Sequence, residues 1–289
     1  MANIRECFKS RSDNGLLIEA DYSQLEIIAL AYITQDAQLY KDLRSGTDLH
    51  AIRASEMFGI PLAYMLRDIT AGNPSAINCR KIAKAFSFQL QYGAGYKSIA
   101  ESLDIDETRA KEFIEIYYNR YPAIKLWQDN MIASVQAGRV KSDKRTTKGF
   151  PAGTSTIESI TGRRYTFQEY DSPDWMRKDT SFSPTQIKNY PIQGFATGDI
   201  VPMMIGELYH ELALNNNLKE DLLMVNTIHD SVVFDLLDRT KLVDAAEFIK
   251  DIMENAPAYL KANLDIDFDL PLNVEISAGK TWLSLEKVL

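Results

Sequence analysis

The 289-residue sequence predicts an α+β fold in which a largely helical segment interrupts a sheet. Three observations lead there. Short apolar runs with strand character occur at both ends of the chain: LLIEAD (16–21) near the start, and LLMVNTI (222–228), SVVFDLL (231–237) and LNVEIS (272–277) near the end. Between them the signals are helical, with capping residues, helix-entry prolines and terminating glycines. No internal repeat, low-complexity tract or clear linker divides the chain, so strands remote in sequence are candidates to share one sheet with helices packed on it.

Taken in order, LLIEAD is an apolar run ending in an acid and reads as a buried strand. Ser23 opens the next helix, because Ser-Gln-Leu-Glu (23–26) has the S-x-x-E form of a capping box. Thr47 and Asp48 start a second helix that Gly59 ends. Asn73-Pro74 begins a third, with Pro at its first helical position, and it runs as far as Tyr92-Gly93. Helices follow at 106–119 and 121–137, the latter stopped by Gly138. Residues 139–168 alternate basic, polar and Gly-rich pieces and read as a hairpin with a long exposed tip. A helix from about Gln193 to Leu212 precedes two strands, 222–228 and 231–237, which flank a tight His229-Asp230 turn. A helix over 240–255 and a strand over 273–277 complete the pattern.

Composition narrows the function classes. Hydrophobic content of 45% and charged content of 25% are ordinary globular values. The longest apolar run, LEIIALAYI (25–33), is too short to span a bilayer, and no signal-peptide pattern opens the chain. Cys7 and Cys79 are far apart and lack metal-ligand spacing, which argues against a disulfide scaffold or zinc site and for a cytoplasmic setting. A net charge of −8 opposes a simple nucleic-acid binder. The charge is uneven, however: seven Lys or Arg against two acids between Arg139 and Arg164, and an acidic excess from Asp199 onward. Local fields matter more than the total.

Two patterns carry chemistry. In RKIAKAFSFQLQYGAG (80–95), Arg80, Lys84, Phe88 and Tyr92 recur at every fourth position, which stacks them along one helix face. Two cations followed by two flat rings suit a ligand with phosphates at one end and a base at the other. A half-exposed helix whose Arg and Lys stems cover apolar surface is the plainer reading. Asp21 ends the first strand and Asp230 occupies the late turn; on one sheet the two carboxylates could meet. Magnesium favours such sites, taking one or two carboxylates and completing its shell with water and substrate phosphates. Separately, Asp21 also reads as an acid at a helix N-terminus and Asp230 as a turn former.

DYSQLE (21–26), the R-x₃-K-x₃-F-x₃-YG row (80–93) and HDS (229–231) resemble motifs A, B and C of the family-A, polymerase I-like DNA polymerases, in the family's order and approximate spacing. GTDLHAIRASEMFG (46–59), YPAIKLWQ (121–128), TGRR (161–164), NYPIQG (189–194) and PLNVEISAGKTW (271–282) add to the likeness, which runs from Ile4 to Trp282. The resemblance implies a palm, an antiparallel sheet with packed helices, formed by 1–45 and 165–289, with mostly helical fingers inserted at 46–164. It implies a templated DNA polymerase that adds deoxynucleotides to a primer 3′ end by two-metal phosphoryl transfer.

The family's roles carry over residue by residue. Asp21 and Asp230 would hold two Mg²⁺ ions, with the Tyr22 carbonyl as a further ligand. Arg80, Lys84 and His50 would take the triphosphate of the dNTP, and Lys84 would act catalytically by stabilising the departing pyrophosphate. Phe88 would pack by the sugar, with Tyr22 and Gln24 completing the nucleotide pocket. Tyr92, Asn189, Gln193 and His229 would contact primer–template DNA; a buried turn histidine is the plainer reading of His229. Glu26 would exclude a ribose 2′-hydroxyl, or serve only as a helix cap, or do both. The pattern departs from the family at Ser231, where members commonly carry Glu, and at Thr185, where many carry Arg. It also begins almost at motif A, so thumb and exonuclease regions are expected to be absent. A split, phage-like enzyme follows, in a bacterial or phage-infected cell, with a second polypeptide supplying the thumb and possibly a 3′–5′ exonuclease. The competing expectation is a non-catalytic DNA-binding module that keeps the fold.

Overall fold

The computed structural model describes residues 4–174 and 176–289. Residues 1–3, the start of the first expected palm segment, and Trp175 lie outside the described residues. In chain order the elements begin with β1 (Leu16–Tyr22), α1 (Leu25–Thr34), α2 (Ala37–Arg44), α3 (Leu49–Phe58), α4 (Leu62–Thr70), α5 (Pro74–Gln91), α6 (Tyr96–Leu103), α7 (Glu107–Arg120) and α8 (Pro122–Ala137). Next come β2 (Val140–Arg145), β3 (Pro151–Glu158), β4 (Arg164–Gln168), β5 (Tyr170–Asp171), β6 (Thr180–Ser181) and α9 (Pro184–Gln193), then a π-helical stretch Gly194–Ile200. The remainder is α10 (Val201–Leu214), β7 (Leu222–Ile228), β8 (Ser231–Leu236), α11 (Leu242–Glu254), α12 (Ala256–Leu264), β9 (Val274–Gly279) and β10 (Glu286–Lys287).

Contacts group these into two units, Met1–Ala29 with Gln193–Leu289, and Leu30–Ile192. The segment 46–164 lies wholly within the second unit. Residues 30–45 and 165–192, read from sequence as palm, also group with the second.

The first unit is built on an antiparallel sheet of order β10-β9-β1-β8-β7, which puts the earliest strand between two of the latest. Period-2 alternation sends Ile18, Ala20 and Tyr22 of β1 into the core. The Tyr22 hydroxyl donates to the carbonyl of Met253 on α11 at 2.8 Å. From the same helix Lys250 donates to the Val274 carbonyl at 2.6 Å, and Glu254 accepts the Val274 N–H at 2.9 Å, anchoring β9. Every residue of β8 is buried, which is why SVVFDL reads as a continuous run rather than an alternation. Fully buried side chains such as Ile18, Phe234 and Ile276 each contribute about 1.5–3 kcal/mol.

In the second unit α3 packs on α4, α5 and α7. Phe58, Phe86, Phe113, Tyr117 and Tyr121 meet edge-on, with centroids 5.2–6.2 Å apart, the arrangement their ring quadrupoles favour. Arg120 ties this core together, bonding Asp42 of α2 at 2.7 Å and also Glu56 of α3. The sheet β2-β3-β4 closes over a small cluster of Val135, Phe167, Phe182 and Ile187.

Several boundaries differ from the sequence reading. The helix after β1 begins at Leu25: Gln24 takes φ 62°, its carbonyl accepts the N–H groups of Ile27 and Ile28, and the Ser23 N–H goes to Asn273. Glu26 thus lies in the first helical turn, where the macrodipole favours an acid, of a helix that starts one residue later than a Ser23 cap would start it. The expected hairpin at 139–168 is three-stranded, because Gly162 at φ 79° turns the chain back once more. The helix expected from Gln193 starts at Pro184 and runs through Pro191 into the π-helical stretch. The helix at 240–255 ends at Glu254, and α12 follows it. No helix among the described residues is long and apolar enough to cross a membrane.

Candidate active site

Strand β1 delivers Asp21 to the end of the sheet. Register places Asp21 opposite Ser231 of β8 on one side and Glu275 of β9 on the other. Asp230 precedes Ser231 in the two-residue connection from β7, and its carbonyl accepts the Tyr22 N–H at 3.4 Å. That turn is possible because His229 adopts φ 54°, a left-handed conformation in which His is among the enriched non-glycine residues. His229 is exposed, not the buried turn histidine of the plainer reading.

The electrostatics at this sheet end are strained in one direction. The Asp21 carboxyl is pushed up to about 6, by partial loss of solvent first and then by the charges of Asp230, Glu19 and Glu275. Burial also raises Asp230, and it raises the Tyr22 phenol, helped by Glu254. Asp21 nonetheless remains exposed as a residue, open to a cation. Like charges held this close disfavour joint ionisation, and a divalent cation would relieve them. Among the described residues no group of three or more His, Cys, Asp or Glu has metal-holding geometry. The oxygens on offer at this sheet end, the Asp21 and Asp230 carboxylates and the Tyr22 main-chain carbonyl, are hard donors of the kind that suits Mg²⁺, which keeps water and substrate oxygens in its remaining positions.

The sequence reading missed Glu19 and Glu275. Glu19, two residues before Asp21 and so on the same face, accepts from the Ser231 hydroxyl and the Trp282 indole N–H, each at 3.3 Å. Strand alternation would have revealed Glu19. Glu275 needed the β1–β9 register, which no local signal provides.

The second unit carries the cation–aromatic row on α5. The Asn73 side chain caps the helix by accepting from Ser75 N–H at 2.9 Å, with Pro74 behind it. Ala83, Phe86, Ser87 and Leu90 form the buried side. On the other side Arg80 is half-buried, Lys84 exposed and Phe88 half-buried, while Tyr92 is the exposed C-cap. The Lys84 ammonium lies 5.8 Å from the Phe88 ring centroid. His50, near the start of α3, has its ring 6.1 Å from that of Phe88. Burial lowers the His50 imidazole to about 4, with Arg53, Arg80 and Lys84 adding to the effect and Asp48 opposing it. His50 is thus a neutral group beside several cations at pH 7. Gly93 takes φ 82° and approaches Thr185 so closely that a Cβ there would lie 2.9 Å from the Thr185 Cα. Asn189 and Gln193 are one turn apart on α9, both half-buried. Glu26 and Gln24 follow Asp21 directly, the first half-buried and the second exposed. Asp48, read from sequence only as a helix start, links the row to α3.

The chain is similar to DNA polymerase I of Lactococcus lactis subsp. cremoris, 31% identical over 279 residues, covering 96% of this chain and 27% of the relative. It is 30% identical over 281 residues to DNA polymerase I of Rhizobium leguminosarum, covering 96% and 24% respectively. The chain thus spans about a quarter of the length of these curated relatives. Among solved structures, the POL domain of Pol1 from M. smegmatis, in complex with DNA primer-template and dNTP, shares the fold with a TM-score of 0.71 and 23% identity, over 98% of this chain and 42% of that one. The model of DNA polymerase family A matches residues 1–284, so that the strand carrying Asp21, the α5 row and the Asp230 turn all fall inside one continuous match, and the chain belongs to that family.

Proposed function

We propose that this chain is the catalytic part of a DNA-directed DNA polymerase. A primer 3′-hydroxyl oxygen attacks the α-phosphorus of a deoxynucleoside triphosphate; the new P–O bond forms as the bond from the α-phosphorus to the oxygen bridging the β-phosphate breaks, pyrophosphate leaves, and the hydroxyl proton passes to solvent. The observation that carries the reading is the arrival of Asp21 and Asp230, remote in sequence, at one end of one sheet, the first on β1 and the second in the turn that leads into its neighbour β8. Asp21, Asp230 and the Tyr22 carbonyl are the groups that would hold two Mg²⁺ ions, which supply charge stabilisation at the attacking and leaving oxygens. Arg80 and Lys84 bind the triphosphate and offset charge on the leaving pyrophosphate. His50, neutral at pH 7, donates or accepts a hydrogen bond without adding charge. Phe88 and Tyr92 give apolar platforms for sugar and base. Gln24 and Tyr22 line the nucleotide pocket, and Glu26 crowds the position of a ribose 2′-hydroxyl. Asn189, Gln193 and His229 contact primer and template. Gripping the duplex takes cationic surface beyond the acidic first unit. The exposed Lys and Arg of β2–β4 supply part of it, and a thumb-like element outside these residues supplies the rest.

The test is primer extension with the wild type and with Asp21→Asn and Asp230→Asn. Each variant should lose incorporation by a factor of about 10³ or more, the loss of several kcal/mol of charge stabilisation, with an unchanged circular dichroism spectrum. Ser231→Ala should cost far less. Near wild-type extension by either Asn variant would sink the assignment.

A further inference from the structure

We propose that Asp48 is a positioning residue for the incoming nucleotide: it holds one edge of the Arg80 guanidinium and so presents the other edge to the triphosphate. The inference rests on the reading of Arg80 as a phosphate ligand.

Asp48 does two things with its two oxygens. Oδ1 is the N-cap of α3, accepting the N–H groups of His50 at 2.9 Å and Ala51 at 3.2 Å. Oδ2 accepts from Nε of Arg80, 32 positions along the chain on α5. Capping requires only the first. Asn, Ser or Thr caps a helix about as well as Asp, so the helix alone gives no reason for a charged second oxygen. The bond to Nε is specific in its consequence. A guanidinium has five N–H donors in one rigid plane; fixing Nε leaves the four on Nη1 and Nη2, whose fork matches two phosphate oxygens. Arg80 is poised for this, with its side chain 36% exposed and that of Asp48 29% exposed. Burial works against ionisation of Asp48, but the Arg80 hydrogen bond and the two backbone N–H groups outweigh it and hold the carboxyl below its ordinary range. The same carboxylate thereby joins the α3 turn that carries His50 to the α5 row that carries Arg80 and Lys84.

Asp48→Asn separates the two roles, because Asn keeps the cap while removing the charge-assisted hold on Arg80. Equilibrium titration of mant-dATP onto the protein with primer–template, together with steady-state kinetics, reads the outcome. Asp48→Asn should raise both the Kd for mant-dATP and the KM for dATP about tenfold, the size of one charged hydrogen bond, with kcat within about threefold. Asp48→Ser, another good cap, should behave alike. In an Arg80→Ala background, Asp48→Asn should add less than about twofold, since the group it positions is gone. An unchanged or tighter Kd in Asp48→Asn, or full additivity with Arg80→Ala, would overturn the proposal. If Arg80→Ala itself leaves Kd and KM unchanged, the nucleotide reading of the row falls, and this inference with it.

Discussion

Lowering the pH from 7.5 to 5 should destabilise the protein through one imidazole. His50 is 7% exposed, and its Nδ1 has no hydrogen-bond partner. Burial, followed by Arg53, Arg80 and Lys84, takes the imidazole from 6.5 to about 4. A depressed histidine favours the folded state only while neutral. The contribution is therefore fully present above about 6.5, and it is lost progressively as the pH falls through the window from 6.5 to 4, where the unfolded chain binds the proton and the folded chain resists it. Each unit of the gap is worth about 1.4 kcal/mol. About 2 kcal/mol should be gone at pH 5 and about 3 kcal/mol at pH 4. Asp21 acts with the opposite sign: its raised carboxyl stabilises the metal-free fold at low pH, and that contribution is lost as pH rises from about 4 through 6. The clean measurement is a difference. Denaturant unfolding of wild type and His50→Gln at pH 7.5 and 5 cancels every titration except that of His50, and the wild type should lose about 2 kcal/mol more than the variant. Equal losses, or a His50 ring resonance titrating at 6 or above in the folded protein, would refute the reasoning.

Other outcomes follow from the same structure. Glu26→Ala should raise ribonucleotide relative to deoxyribonucleotide incorporation in primer extension, since the selectivity comes from a clash set against the wrong sugar. The melting temperature should move little, because a first-turn acid contributes about 1 kcal/mol or less; unchanged sugar selectivity with a clear loss of stability would leave only a helix role. Gly15→Ala should destabilise by about 1–3 kcal/mol, because its Cβ would lie 2.6 Å from the Leu236 carbonyl oxygen, a backbone atom that cannot step aside. A variant melting like the wild type would show that the β1–β8 backbone yields there.

The elements legible in sequence are those announced by side-chain chemistry. Asp48 caps α3 and Gly59 ends it at φ 65°; Asn73 and Pro74 start α5, and Gly138 ends α8. Helices α4 and α6 were invisible for the complementary reason: Pro61 and Gly95 precede them, and neither makes a side-chain cap bond. Helix α2 did carry a signal, Asp36 accepting from Gln38 and Leu39, that the reading passed over. The sequence reading begins a helix only near Gln193, yet α9 starts at Pro184, continues through Pro191 and passes at Gly194 into the π-helical stretch. Asp21 and Asp230 could be singled out because the first ends an apolar run and the second occupies the turn between two such runs. That Asp21 faces Glu275, or that Arg80 is held by Asp48, depends on register and helix packing across long stretches of chain. Such facts have no local trace.

The order of the central sheet also dictates how the chain must fold. β1 is made long before its partners β8 and β9, and the contact between Glu19 and Ser231 spans 212 positions. Such a sheet has high contact order and closes slowly. During synthesis at about 5–20 residues per second, β1 waits on the order of ten seconds or more with both edges unpaired, while the continuous segment 30–192 can already fold. An apolar strand left open in this way invites pairing with another chain. Charges within such a run act as gatekeepers, and LLIEADY holds two, Glu19 and Asp21. By that rule the two acids that later sit in the finished sheet also disfavour pairing of the nascent strand with another chain before β8 and β9 arrive.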